Sequence, residues 1–330
     1  MRAMMMKQLG EPEQLELTEL PDPIPGAGEV AIDVQAIGCN YADILVCRGK
    51  YQVKPALPFA PGSEVAGRVR AVGENVTALA PGMFVLAQVS YGAYASVVIA
   101  DARRVHRVPE GMDAVTAASF GVVYQTSYLA LAERAQLKVG ETLLVHAAAG
   151  GVGLAALQIG KALGARVIAA ASTHDKLAFC TEQGADAVLC TGDAGWPERV
   201  RELTDGRGAD VIYDSVGGDV TDGSLKHIAW NGRLLTIGFA GGTIPSVALN
   251  RVMLKNISIV GLNLGSYHEQ APDVLRNAMQ ELFALHAASC GSGRGVRPHV
   301  HGVRPFTEAA EALRALEART VSGKLVLVPS

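Results

Sequence analysis

The stretch Thr142-Leu143-Leu144-Val145-His146-Ala147-Ala148-Ala149-Gly150-Gly151-Val152-Gly153-Leu154-Ala155-Ala156 decides how this chain folds. Residues 142–146 form a mostly apolar run of strand length, and residues 152–163 carry the pattern of an apolar helix. Between them lie alanines and glycines, whose small side chains leave the backbone open to a ligand. Three glycines alone are weak evidence. A buried strand before them and a helix after them supply the context that a dinucleotide loop needs. The bare backbone can approach a pyrophosphate, and the helix start offers unpaired N–H donors and a favourable dipole. A tight turn with no ligand is the competing reading.

Outward from this loop, strand and helix alternate. Strands are expected at residues 166–171, 188–189, 211–214, 233–237 and 256–261. Helices are expected at 176–183, 196–204 and 219–229, with two more at 272–288 and 307–320. Continuous apolar strands spaced by helices imply a parallel sheet covered on both faces. Residues 1–120 read differently, as short strands broken by turn chemistry such as Pro21-Asp22-Pro23-Ile24-Pro25-Gly26 and Ala80-Pro81-Gly82. Asp113 is suited to cap a short helix through Ala117 and Ala118, and a second helical stretch covers 126–135. Residues 324–328 resume the β-rich style. The expected division is therefore 1–120, 121–265 for the nucleotide domain, and 266–330 returning to the first domain.

The end of the strand at 166–171 indicates which dinucleotide fits. A site for NAD usually presents a carboxylate there to the ribose 2′-hydroxyl. This chain has Ala171, followed by Ser172 and Thr173, with Lys176 one turn later. Two hydroxyls and an ammonium suit a 2′-phosphate, so NADP(H) is expected. Asp175 opposes that reading unless it only caps the next helix.

Composition narrows the class further. The chain has 330 residues, 49% hydrophobic and 18% charged, enough for two domains at roughly 150 residues each. A net charge of −3 leaves no electrostatic footprint for nucleic acid or an anionic membrane. Apolar runs fall far short of the ~20 residues that span a bilayer. The start, Met1-Arg2-Ala3-Met4-Met5-Met6-Lys7, reads as a strand and not as an export leader. Five scattered cysteines (Cys39, Cys47, Cys180, Cys190, Cys290) lack the spacing of a disulfide framework or a thiolate zinc site. Reduced thiols in a cytoplasm are expected. His299 and His301 share a strand face but have no third ligand nearby, and Gly291-Ser292-Gly293-Arg294-Gly295 reads as a solvated connector.

Several stretches together resemble the zinc-independent quinone oxidoreductases of the medium-chain dehydrogenase/reductase superfamily, the group that includes zeta-crystallin. They are Pro61-Gly62-Ser63-Glu64-Val65-Ala66-Gly67, Gln125-Thr126-Ser127-Tyr128-Leu129-Ala130-Leu131, the alanine–glycine loop, Tyr213-Asp214-Ser215-Val216-Gly217 and Gly323-Lys324-Leu325-Val326-Leu327. The likeness covers essentially the whole chain. It implies an α/β protein with a GroES-like, β-rich catalytic domain, a doubly wound Rossmann domain, NADPH as cofactor and a homodimer. It further implies that Asn40 and Thr126 flank the nicotinamide, and that Gly150, Gly151 and Val152 hold the pyrophosphate. Ser172, Lys176 and Arg319 would meet the 2′-phosphate, while Phe239 and Asn263 would border the nicotinamide half. Thr191 stands where the family often has a tyrosine near the adenine. Zinc alcohol dehydrogenases resemble the same segments, but carry Cys where this chain has Asn40 and His where it has Ser63. Zinc takes thiolate, imidazole or carboxylate donors at about 2.0–2.3 Å. An amide and a hydroxyl are poor replacements, so no metal is expected.

Without a Lewis acid, the acceptor should spread the incoming charge itself, as quinones and α,β-unsaturated carbonyls do. Tyr51, in Arg48-Gly49-Lys50-Tyr51, resembles the catalytic tyrosine segment of mitochondrial-type enoyl thioester reductases and is the candidate proton donor. A packed tyrosine, with the proton taken from water, is the alternative. Two rival functions stay open: an enoyl-CoA or enoyl-ACP reductase, and a crystallin-like structural protein that binds NADPH.

Overall fold

Apolar β-branched and leucine-rich runs in the second half of the chain pair into one six-stranded parallel sheet. Across the sheet the strands are Ala187–Cys190, Arg166–Ala171, Thr142–Val145, Ala209–Asp214, Ile228–Thr236 and Ser258–Gly261. Every neighbouring pair runs parallel. This is the doubly wound order in which the first strand of the series sits mid-sheet and the path reverses beside it. The reversal falls between Thr142–Val145 and Ala209–Asp214, where ligands bind in such sheets. Leu144, Ile168, Ile212 and Leu234 point from four strands into one buried cluster with Val200 and Leu225. Each such side chain stabilises the sheet by about 1.5–3 kcal/mol.

The structure, a computed structural model, describes residues 1–289 and 295–329. Two compact units divide it. One comprises Met1–Val122, His268–Met279 and Pro298–Ser330, and the other comprises Val123–Tyr267 and Gln280–Arg297. The long helix Pro272–Ser289 contributes residues to both.

The first unit is built on a seven-stranded mixed sheet. Its path runs Val300–Pro305, Lys324–Val328, Glu29–Gly38, Glu64–Val72, Phe84–Gln88 and Val105–Arg107, with Val97–Asp101 also paired to Glu29–Gly38. The C-terminal strand lies antiparallel to the end of Glu29–Gly38, with Val326 opposite Gly38. This pairing and the Cys39 N–H bond to Leu325 O bring Lys324 beside Cys39 and Asn40. Among the described residues no helix is long and apolar enough to cross a membrane.

Three helices were not read from the sequence. Tyr41–Cys47 is a helix started by a capping box between Asn40 and Asp43. Leu264–Gln270 is also helical. A helix at Leu249–Leu254 escaped notice because its apolar residues Leu249, Met253 and Leu254 face outward. The expected helix at 126–135 begins earlier, at Gly121, and widens to π-type winding over Leu129–Arg134. Apart from Gly295, the connector at 291–295 lies outside the described residues, as does Cys290.

Candidate active site

The alanine–glycine loop leaves the sheet at its reversal point. Gly150 caps the helix Gly151–Ala162 in an extended conformation, and Ala147 adopts a left-handed turn with φ of 49°. Gly153 must be glycine: a Cβ there would lie 2.2 Å from Ala147 O. The loop therefore packs against its own helix. The first N–H groups of an α-helix have no intrahelical acceptor and are free to meet an anion.

Two side chains that carried no role in the sequence reading brace this loop. Ser127 donates from its hydroxyl to Val152 O at 2.9 Å, and the Tyr213 hydroxyl lies 2.9 Å from the same Ser127 oxygen. Ser127 follows Thr126 on the helix Gly121–Tyr128, so Thr126 and the alanine–glycine loop are tied to one anchor. Burial raises the Tyr213 phenol, which stays protonated as a partner.

Gly217, with φ of 79°, passes so close to Phe239 that a Cβ would lie 2.9 Å from its ring. Ala240 N–H and Gly241 N–H bond to Ser215 O and Val216 O, fastening the Phe239 segment to the end of the strand Ala209–Asp214. Asn263 follows the edge strand and is exposed. Asp214 accepts from Val216 N–H, Gly217 N–H and the Thr221 hydroxyl, which shapes that turn. Ser172 is exposed just after the strand Arg166–Ala171, and Lys176 lies in the following helix, His174–Glu182. Ala171 is buried, so no carboxylate ends that strand. Arg319 belongs to the other unit, in a left-handed turn after the helix Ala309–Glu317.

The first unit holds a buried charged network. The Lys324 ammonium donates to Cys39 O at 2.7 Å, Asn40 Oδ1 at 2.7 Å and Glu64 Oε1 at 2.9 Å. Asn40 Nδ2 donates to the same Glu64 oxygen at 2.8 Å, and Val122 N–H donates to Glu64 Oε2 at 2.7 Å. Side-chain exposure is 4% for Lys324 and 0% for Glu64. All three ammonium protons are used, which a buried cation requires if it is not to be strongly destabilising. Gly38 makes room, since a Cβ would come within 2.5 Å of Glu64 Oε1. Lys324 was missed at the sequence level, although a lone lysine opening the apolar strand Lys324–Val328 was a usable signal.

Asp43 lies beside this network. Its Oδ2 accepts Asn40 N–H at 2.9 Å and the Tyr94 hydroxyl at 3.0 Å. Burial pushes its carboxyl up to about 7. Burial likewise pushes the Cys39 and Cys47 thiols up to about 12, which makes them poor nucleophiles. Tyr51 is half-buried against the same core, and burial, then the Asp43 charge, raises its phenol. It is held protonated. Ser63 Oγ stands 3.5 Å from Asn40 Nδ2. Among the described residues no group of three or more His, Cys, Asp or Glu side chains is placed to hold a metal ion.

A parallel six-stranded sheet with a glycine loop at its reversal, joined to a GroES-type β unit, defines a two-domain nucleotide-dependent dehydrogenase or reductase. Comparison with known proteins agrees. A zinc-binding dehydrogenase family model matches residues 151–282, and an alcohol dehydrogenase GroES-like domain model matches residues 26–110. A quinone oxidoreductase of Pseudomonas aeruginosa is 37% identical over 324 residues, covering 97% of each chain. The quinone oxidoreductase of Homo sapiens is 32% identical over 335 residues, covering 99% of this chain and 98% of the relative. The solved structure of Escherichia coli quinone oxidoreductase complexed with NADPH superposes with a TM-score of 0.91 at 31% identity, covering 100% of both chains. The chain belongs to the quinone oxidoreductase branch of the medium-chain dehydrogenase/reductase superfamily, and it is an oxidoreductase.

Proposed function

We propose that this chain is an NADPH-dependent reductase of quinones and α,β-unsaturated carbonyl compounds that works without zinc. Bound NADPH supplies the hydride. Gly150, Gly151 and Val152 would hold its pyrophosphate, Ser172 and Lys176 its 2′-phosphate, and Thr126, Phe239 and Asn263 its nicotinamide half. Resemblance adds Arg319 to the phosphate partners and Asn40 to the nicotinamide side. The uncharged strand end at Ala171 supports the phosphorylated dinucleotide, because no carboxylate repels it.

One observation carries the zinc-free reading. Asn40, at a position where zinc relatives have a ligand, faces the Lys324 ammonium at 2.7 Å. A divalent cation among these groups would meet a fixed positive charge, an amide and a hydroxyl in place of thiolate and imidazole. The residues do not fit zinc. The acceptor must then delocalise its own charge, which favours a quinone or an enone over an unconjugated ketone. Asn40 would donate a hydrogen bond to an acceptor oxygen, and Tyr51, kept protonated by burial, would deliver the proton.

The enoyl thioester reading needs a basic channel for a carrier's phosphates. Arg48 does not supply one, because it is spent on Glu317 Oε1 at 2.6 Å and on Glu11. Only Lys50 and Lys54 remain of that cluster, and both are exposed. Steady-state assays with 1,4-benzoquinone, a simple enone, an unconjugated ketone and crotonyl-CoA test the reading with both reduced dinucleotides. Chelator-resistant, NADPH-preferring turnover of quinone or enone is expected. Activity confined to crotonyl-CoA or to the ketone, or abolished by chelators, would overturn it.

Buried thiols at Cys39, Cys47, Cys180 and Cys190 support a reducing cytoplasm as the place of action. Two copies would pair along the sheet-edge strand Ser258–Gly261. That strand is open at the edge, and Trp230, Met253 and Leu254 are 72%, 67% and 72% exposed. Light scattering on the protein and on Ile259→Lys checks this: a wild-type monomer would dismiss it.

A further inference from the structure

We infer that Lys324 and Glu64 are positioning residues that lock the Asn40 amide in one orientation, so that its remaining N–H is a fixed donor to the acceptor oxygen. The inference deepens the proposed reduction and rests on the reading that Asn40 borders the reacting groups.

The geometry is polar at both ends of the amide. Asn40 Oδ1 meets an ammonium at 2.7 Å, and Asn40 Nδ2 meets a carboxylate oxygen at 2.8 Å. Rotating the amide by half a turn would place its NH2 against NH3⁺ and its carbonyl against a carboxylate. In a buried setting, both contacts would change from attraction to repulsion. Glu64 cannot turn away, because its other oxygen accepts Val122 N–H at 2.7 Å. Lys324 cannot retreat, because its third proton is held by Cys39 O at 2.7 Å. The Asn40 backbone is pinned as well, through its N–H to Asp43 Oδ2 at 2.9 Å.

One Nδ2 proton is thereby committed to Glu64. The other has only long contacts, 3.4 Å to Gly38 O and 3.5 Å to Ser63 Oγ. A 3.5 Å contact is weak, so this N–H is available to a better acceptor. Asn40 retains slight exposure, 8%, which gives a ligand a route to it. A quinone or enone oxygen gains negative charge as hydride arrives. A donor that is already oriented then needs no rearrangement to stabilise that charge.

The test compares Asn40→Ala, the charge-neutral pair Glu64→Gln/Lys324→Met, and the triple variant, reading kcat and KM for 1,4-benzoquinone alongside melting temperature. Asn40→Ala and the double variant should each lower kcat by about tenfold with little change in the KM for 1,4-benzoquinone, as expected for one lost charge-stabilising hydrogen bond. The triple variant should be no slower than either, because all three changes remove one donor. If Asn40→Ala leaves kcat intact, the placement of Asn40 is wrong and the inference falls with it. If Asn40→Ala is slow but the double variant is not, or if the losses multiply in the triple, the placement stands and the positioning role is overturned. Should the double variant fail to fold, NMR of the wild-type protein decides. Of the two side-chain amide signals that vanish in Asn40→Ala, the one held by Glu64 should be protected from solvent exchange and the other should not. Rapid solvent exchange of both protons would overturn the lock.

Discussion

The two proposed sites are built from opposite materials. The proposed cofactor loop uses backbone: alanines and glycines follow a strand of the parallel sheet, and Ser127 and Tyr213 brace the loop. The network of the first unit uses charge: a buried ammonium, a buried carboxylate and an amide share five hydrogen-bonded contacts around Glu64 and Lys324. The first kind of site is tolerant of chemistry but intolerant of volume. The second tolerates little change in charge, since leaving one buried ion without its partner costs far more than the pair contributes.

That contrast is sharpest in Lys324→Met. Stripping the ammonium leaves the buried Glu64 side chain without its cation, and the expected loss is about 3–5 kcal/mol in urea unfolding. Adding Glu64→Gln should restore most of it. A single variant as stable as wild type would show that the network is not the buried ion pair described here. On the other side of the comparison, Gly153→Val adds volume where a Cβ already lies 2.2 Å from Ala147 O. Overpacking of about 1–3 kcal/mol should appear as roughly ten- to a hundredfold weaker NADPH binding, measured by fluorescence titration. Unchanged affinity would remove the loop from the cofactor site.

Ala171→Asp tests charge within the backbone-built site. A carboxylate at that strand end should shift preference from NADPH toward NADH by about tenfold, equivalent to ~1.4 kcal/mol. A preference that does not move would place the 2′-phosphate elsewhere. Titration sets groups within the first unit against one another. Asp43 is raised to about 7 from an ordinary value of 3.8, so its contribution to stability is complete below about 4. That contribution is lost as pH rises through 7. His106 and His268 are held down to about 4 from 6.5 by burial, and then by Arg276 for His106 and Arg104 for His268. Their contribution runs the other way, complete above 6.5 and lost as pH falls toward 4. Asp43→Asn should therefore gain melting temperature over wild type between pH 5 and pH 8, by about 2–4 °C for each kcal/mol involved. Parallel curves for the two proteins would refute the Asp43 assignment. The smallest effect belongs to the surface: Glu317→Gln, which removes one exposed partner of Arg48, should cost about 1 kcal/mol or less.

Legibility in the sequence followed the same division. The parallel sheet could be read because its strands are short apolar runs, and the glycine turn because small residues stand between a strand and a helix. That no carboxylate ends the strand Arg166–Ala171 could be read from a single position. The helix Tyr41–Cys47 was hidden, since its start depends on a capping box whose Asn40 also serves the charged network. Ser127 was hidden too: a hydroxyl on a helix has many possible partners, and only folding selects Val152 O.

By itself, the sequence determined the sheet class, the strand–turn–helix of the alanine–glycine loop and the presence of an amide at Asn40 and a hydroxyl at Ser63, because each is written in contiguous residues or in one residue at a fixed place. Only the tertiary structure decided what surrounds Asn40. Lys324 lies 260 positions from Glu64 and 284 from Asn40, and no local pattern can announce an encounter at that separation. It takes the antiparallel pairing of the last strand with Glu29–Gly38 to carry the ammonium there, where burial strips it of water and leaves Asn40, Glu64 and Cys39 as its only solvation.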